Sequence, residues 1–138
     1  MNKKNIKILI LDDEENILAS LKRVIEAHGY TVVTKSKPED AIEYIRNNIV
    51  HVALLDILMP NMDGITVLNI VKEISGLTQV IMMSAYSTID RIVSALENGA
   101  NDFLLKPFDN IEELNKVVDL SVQKLDRWKK VLTESGAI

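Results

Sequence analysis

The sequence predicts an α/β protein in which five parallel strands form one doubly wound sheet. Three observations carry that prediction. Short apolar runs recur five times, and most are continuous rather than alternating, as strands read when a sheet is covered on both faces. Stretches of helical period separate them. Proline, glycine and capping residues stand at the joins. Strands alternating with helices in this way give (βα)₅.

The elements follow in order. The first strand is expected over residues 6–11, and Ile17, Leu21 and Val24 then share one helical face before Gly29 ends the helix. The second strand is expected over 30–34, followed by a helix with Pro38 in its first turn and Ile42 and Ile45 on one face. The third strand, 51–55, runs into Asp56 and the loop "ILMPNMDG". There Pro60 and Gly64 shape the connection, Asp63 caps the third helix, and Leu68 and Val71 share its face. After the fourth strand, 79–83, Ser87-x-x-Asp90 resembles a capping box. Ile89, Ile92, Val93 and Leu96 then share a face, and Gly99 closes the helix. The fifth strand is expected over 102–105, with Asp109 as the cap of the last helix.

That last helix carries Ile111, Leu114, Val118, Leu125, Trp128 and Leu132 at alternating steps of three and four, with Ser121 filling one slot. Its first half is the core stripe of the domain, and the pattern continues past residue 122. The expected division is therefore a domain over 1–122 and an extension over 123–138. Two readings stand for the extension: a short coiled coil that makes a homodimer, or a linker to an effector domain missing from this chain. Trp128 is expected to be a packing residue.

Composition bounds the function. Of 138 residues, 47% are apolar and 26% charged, which suits one globular domain able to bury about two-thirds of its unfolded surface. The net charge of −4 gives no reason to expect direct nucleic-acid or anionic-membrane binding. With no cysteine, disulfide scaffolds and thiolate metal sites are excluded. The first apolar stretch is too short for a signal peptide or a membrane span, so the chain reads as soluble and cytoplasmic.

Ligands of such sheets bind beyond the carboxyl ends of the strands. After the first strand come Asp12, Asp13, Glu14 and Glu15; after the third, Asp56; after the fourth, Ser84; after the fifth, Lys106 and Pro107. Clustered carboxylates repel unless a cation joins them or one is protonated. An all-oxygen, partly open site suits Mg²⁺, with Mn²⁺ as the alternative. Asp13 and Asp56 are the candidate direct ligands, Asp12 acts through water, and the Leu58 backbone carbonyl completes the protein's share. A carboxylate beside such an ion can attack phosphorus, with Lys106 and the Ser84 hydroxyl contacting the phosphoryl oxygens. His28 and His51 lie away from this edge, and no metal or catalytic role is expected for either.

"ILDDEEN", "LLDILMPNMDG", "VIMMSAY" and "NDFLLKPF", in this order and spacing, resemble the receiver (CheY-like) domain of bacterial two-component response regulators. The resemblance spans roughly residues 5 to 122, and the stretch after the fourth strand is most similar to receivers of nitrogen-regulation-type transcription activators. It implies a flavodoxin-like sheet of order 2-1-3-4-5. It implies that Asp56 is the phosphoacceptor, taking its phosphoryl group from a sensor histidine kinase or phosphotransfer protein. Asp12 and Asp13 form the acidic metal pocket, Ser84 is the switch hydroxyl, Lys106 contacts phosphate, and Phe103 is the switch aromatic. It further implies a cis peptide between Lys106 and Pro107. The signal would leave through the face of the fourth helix, fifth strand and fifth helix. The activity implied is self-catalysed phosphorylation with slow hydrolysis, that of a switch rather than a turnover enzyme. Bulky Leu58 and Tyr86 are expected either to hinder the attacking water or merely to pack over the site.

Other aspartate or phosphate chemistries fit less well. A flavin-phosphate carrier would share the fold, but "DDEEN" would repel the dianion. A haloacid-dehalogenase-type phosphatase needs an aspartate two residues after its nucleophile, where Leu58 stands. No GxGxxG or Walker A sequence is present.

Overall fold

The structure is a computed structural model that describes residues 2–85 and 88–138. A short 3₁₀ turn, Lys3–Asn5, leads into β1 (Lys7–Leu11) and α1 (Glu15–Ala27). Then come β2 (Thr31–Lys35), α2 (Pro38–Asn47), β3 (Val52–Asp56), α3 (Gly64–Ile74) and β4 (Gln79–Ser84). The chain ends with α4 (Ile89–Glu97), β5 (Asp102–Leu105) and α5 (Ile111–Glu134). The strands pair in parallel in the order β2-β1-β3-β4-β5. Every residue of β3 and β4 is buried, which is why these segments read as unbroken apolar runs.

Alternate side chains of each strand build two cores, one on each face of the sheet. Ile8, Ile10, Leu54, Ile81 and Met83 pack with Leu21 and Ile25 of α1 and Leu114 and Val118 of α5. Leu9, Leu11, Leu55, Val80 and Met82 pack with Ile42 and Ile45 of α2, Leu68 and Val71 of α3, and Ala95 of α4. Gly29 and Gly99 take φ of +113° and +96°, left-handed values that end α1 and α4 without a Cβ penalty.

Several expectations are corrected. In α1 the fully buried residues are Leu18, Leu21 and Ile25, with Ile17 and Val24 only half-buried at the rim. The face shared by Ile89, Ile92, Val93 and Leu96 is exposed, 70% for Leu96 and 80% for Ile89, and only Ala95 enters the core. Beside the edge strand β5 a small residue permits close approach, and the larger side chains are left facing outward. Thr88 is the N-cap of α4, its hydroxyl accepting from Arg91 N–H; Ser87 and Tyr86 lie outside the described residues. Asn110, not Asp109, caps α5 by accepting from Glu113 N–H at 3.0 Å. Adjacent residues of equal capping ability cannot be told apart by type alone.

Helix α5 runs without a break across residue 122, and Leu125 is as buried as Leu114. Trp128 is 49% exposed, against the expected packing role, and faces away from the side of the helix on which Lys129 and Leu132 are half-buried. Among the described residues no helix is long and apolar enough to cross a membrane.

Candidate phosphoacceptor site

Parallel strands all end at one edge of a sheet, so residues following β1, β3, β4 and β5 converge there. The backbone fixes each one. Asp12 N–H donates to the Lys35 carbonyl at 3.2 Å, Ile57 N–H to Met83 at 2.9 Å, and Lys106 N–H to Ser84 at 2.9 Å. Asp12 and Ser84 are fully buried and Asp56 is 3% exposed, while Asp13 reaches solvent.

The side chains form a charged cluster. Lys106 Nζ lies 2.6 Å from Asp12 Oδ2 and 3.4 Å from Asp56 Oδ2. Asp12 Oδ1 accepts from Glu14 N–H at 2.9 Å, and Asp56 Oδ1 from Leu58 N–H at 3.4 Å. Asp12, Asp13 and Asp56 each offer a carboxylate oxygen within 4.8 Å of the others. One lysine leaves three carboxylates under-neutralised. Burial, then the charge of Asp12, raises the Asp56 carboxyl to about 6, against the opposing pull of Lys106 and the Leu58 amide. Burial works against the Lys106 charge as well, but its contacts with Asp12 and Asp56 outweigh that and raise its pKa. An oxygen-only donor set with excess negative charge fits a hard divalent cation.

The sequence-predicted residues therefore come together as Asp12, Asp13, Asp56 and Lys106, with Ser84 buried at the end of the adjoining strand. Both side-chain oxygens of Asp12 are engaged by protein groups, and the tie to Lys106 is one that spacing along the chain does not reveal. Phe103 is half-buried against the core on the α4 side. The Leu58 side chain is 43% exposed. The Lys106–Pro107 peptide is cis, as expected.

Gly64 has a role beyond the loop shaping foreseen for it. Its amide donates to the Ile57 carbonyl at 2.9 Å, and a Cβ there would lie 2.2 Å from the Asp56 carbonyl oxygen. The start of α3 thus seats directly on the acceptor's backbone. At the opposite end of the sheet, the Asp119 carboxylate accepts from the Tyr30 hydroxyl and lies 2.9 Å from His28 Nε2. No local pattern announces this group, because residues 28, 30 and 119 meet only through the fold.

The family model of the response regulator receiver domain matches residues 8–119. This chain belongs to that family. Transcriptional regulatory protein ZraR of Escherichia coli (strain K12) is 35% identical over 114 residues, 81% of this chain and 26% of that protein. Regulatory protein AtoC of the same organism is 34% identical over 125 residues, 91% of this chain and 27% of that protein. The receiver domain thus spans about a quarter of the length of these relatives. A CheY-like response regulator receiver domain protein from Methanospirillum hungatei JF-1 superposes with a TM-score of 0.85 at 28% identity, covering 88% of this chain and 97% of that one. NtrX from Brucella abortus gives the same TM-score at 27% identity, over 91% of this chain and 29% of that one. Receiver domains serve two-component systems as phosphorylation-based signalling switches, and they bind Mg²⁺ at an acidic pocket.

Proposed function

We propose that this receiver domain takes a phosphoryl group on Asp56 from a phosphohistidine of a sensor histidine kinase or phosphotransfer protein. The observation that carries the proposal is the buried carboxylate of Asp56 beside Lys106 and the Asp12–Asp13 pair. In the step, an ionised Asp56 oxygen bonds to phosphorus in line with the departing imidazole nitrogen. The P–N bond breaks, and the imidazole keeps its electron pair and takes a proton from solvent. Asp12, Asp13, Asp56 and the Leu58 carbonyl are the groups that would hold Mg²⁺, which when bound neutralises charge on the phosphoryl oxygens. Lys106 supplies a fixed positive charge at the same place, and Ser84 is the hydroxyl assigned to the phosphoryl group.

In this reading the phosphoryl group draws Ser84 toward it and Phe103 turns inward from its half-buried position. The exposed α4 side chains and β5 then present a changed surface, so the signal leaves through α4, β5 and α5. Hydrolysis of the acyl phosphate returns the switch, and the exposed Leu58 side chain slows it by shielding the path of water. The receiver unit is assigned to residues 1–122 and the remainder of α5 to an extension toward further chain or partners. A cytoplasmic location follows from a kinase partner of this kind.

Beryllofluoride with Mg²⁺ tests the proposal, since it imitates the phosphoryl group without covalent chemistry. Amide resonances of β4, α4 and β5 are expected to shift in the parent and to stay still in Asp56→Asn. Unchanged spectra in the parent would contradict the assignment.

A further inference from the structure

Helix α4 is held firmly at one end. Ala95, near its C-terminus, is its one buried residue, whereas Ile89 at the other end is 80% exposed. Its first turn has the Thr88 cap and the Arg91–Asp63 pair, which is 3.9 Å apart, half-exposed and therefore weak. The turn that follows α4 is bound more closely. Ala100 N–H donates to the Ala95 carbonyl at 3.0 Å. Asn101 pairs with Val80 twice, its N–H donating to the Val80 carbonyl at 2.8 Å and its Oδ1 accepting from Val80 N–H at 2.7 Å.

Lys72, in the last turn of α3, completes this arrangement. Its Nζ donates to Asn101 Oδ1 and to the Thr78 carbonyl, both at 2.8 Å. Its stem lies beside Gly99, where a Cβ would be 3.7 Å from Lys72 Cγ. Thr78 is itself buried, and its hydroxyl donates to the Val50 carbonyl at 2.7 Å, just before β3. None of the ion pairs among the described residues includes Lys72. Its half-buried ammonium has given up water for two neutral oxygens, and burial lowers its pKa accordingly. In return, one side chain ties the end of α3 to the entries of β4 and β5.

Both α3 and α4 run back from the strand-end edge of the sheet toward the edge where the strands begin. α3 therefore starts on the backbone of Asp56 and ends at Lys72, and α4 starts at the site's edge and ends beside Lys72. We infer that Lys72 is the positioning residue that fixes the C-terminal end of α4, so that the helix swings about the Gly99–Asn101 turn with its Ile89 end moving. The cause of the swing rests on the reading of Asp56 as phosphoacceptor. The fixed end does not, because it belongs to the unmodified chain.

Amide hydrogen exchange and amide shifts of the intact chain test the inference. Without any ligand, Gly99 and Ala100 are expected to be protected about tenfold or more above Ile92 and Val93. With beryllofluoride and Mg²⁺, shifts should be largest over Ile89–Val93 and fade to nothing at Gly99 and Ala100. Lys72→Met keeps the stem and removes the donors. It should cut protection at Gly99 and Ala100 about tenfold and spread the beryllofluoride shifts into that turn, while Lys72→Arg keeps the parent's pattern. A lysine that merely stabilises the fold would lower the melting temperature of Lys72→Met and leave both gradients along α4 unchanged, which overturns the inference. Equal protection at the two ends of α4 in the parent overturns it too, whether or not Lys72→Met folds. If beryllofluoride moves no amide in the parent, the phosphoacceptor reading fails, and the protection gradient with its loss in Lys72→Met decides the inference alone.

Discussion

Asp56 is held where its charge is costly to the fold. Burial and the neighbouring Asp12 raise its carboxyl to about 6, so between the ordinary carboxylate range and that value the folded chain binds a proton the unfolded chain has lost. Stability therefore falls as pH rises through this window, and above it the ionised group subtracts a constant amount. At about 1.4 kcal/mol per pH unit the penalty is about 3 kcal/mol. Asp56→Asn is expected to raise the unfolding free energy by that amount near neutral pH without Mg²⁺, and by almost nothing below the ordinary carboxylate range. Urea titrations across pH check it, and an equal gain at every pH would exclude the electrostatic cause. Gly64 acts on the same residue through the backbone. A methyl group 2.2 Å from the Asp56 carbonyl oxygen must separate β3 from the start of α3. Gly64→Ala should destabilise the chain by about 2–3 kcal/mol, and a thermal melt unchanged from the parent would contradict the close approach.

At the scale of elements, the strands were the legible part and the surroundings of the helices were not. β3 and β4 read as strands because both faces are covered, and their chemistry-bearing ends, Asp56 and Ser84, followed from that reading. Periodicity identifies a shared face but not what lies against it. The Ile89–Leu96 stripe of α4 and the Leu114–Leu125 stripe of α5 look alike in sequence, yet the first is exposed and the second buried. The outward stripe lies beside β5, an edge strand of four residues that gives α4 little sheet to cover. α5 packs against β3, β4 and β5, and its full burial continues to Leu125. Leu125→Ala should accordingly cost about 2–4 kcal/mol, a fully buried truncation, whereas Trp128→Ala should cost less than about 1 kcal/mol. Chemical denaturation of the two variants locates the end of the domain, and equal losses would place Trp128 in the core.

For the whole molecule, the sheet order brings together groups that the chain keeps far apart. Asp12 and Lys106 meet at 2.6 Å because β1 and β5 end at the same edge, on either side of β3 and β4. Residue types at strand ends were enough to expect a cation and phosphate chemistry there. They could not reveal that Lys106 engages both Asp12 and Asp56, or that Asp119 gathers Tyr30 and His28 at the other end of the sheet. The two ends also differ in charge chemistry. Burial and the Asp119 carboxylate raise the Tyr30 hydroxyl well above its usual range, whereas bonds from Tyr30 and His28 overcome burial to keep Asp119 ionised. A negative excess around an attackable carboxylate thus belongs to the strand-end edge, and phosphoryl uptake there is the central claim. Its most direct measurement is the intact mass of the chain after incubation with acetyl phosphate, with and without Mg²⁺. The parent is expected to gain one alkali- and hydroxylamine-labile phosphoryl group only when Mg²⁺ is present, and Asp56→Asn to gain none; an unmodified parent, or equal modification of Asp56→Asn, would contradict the account.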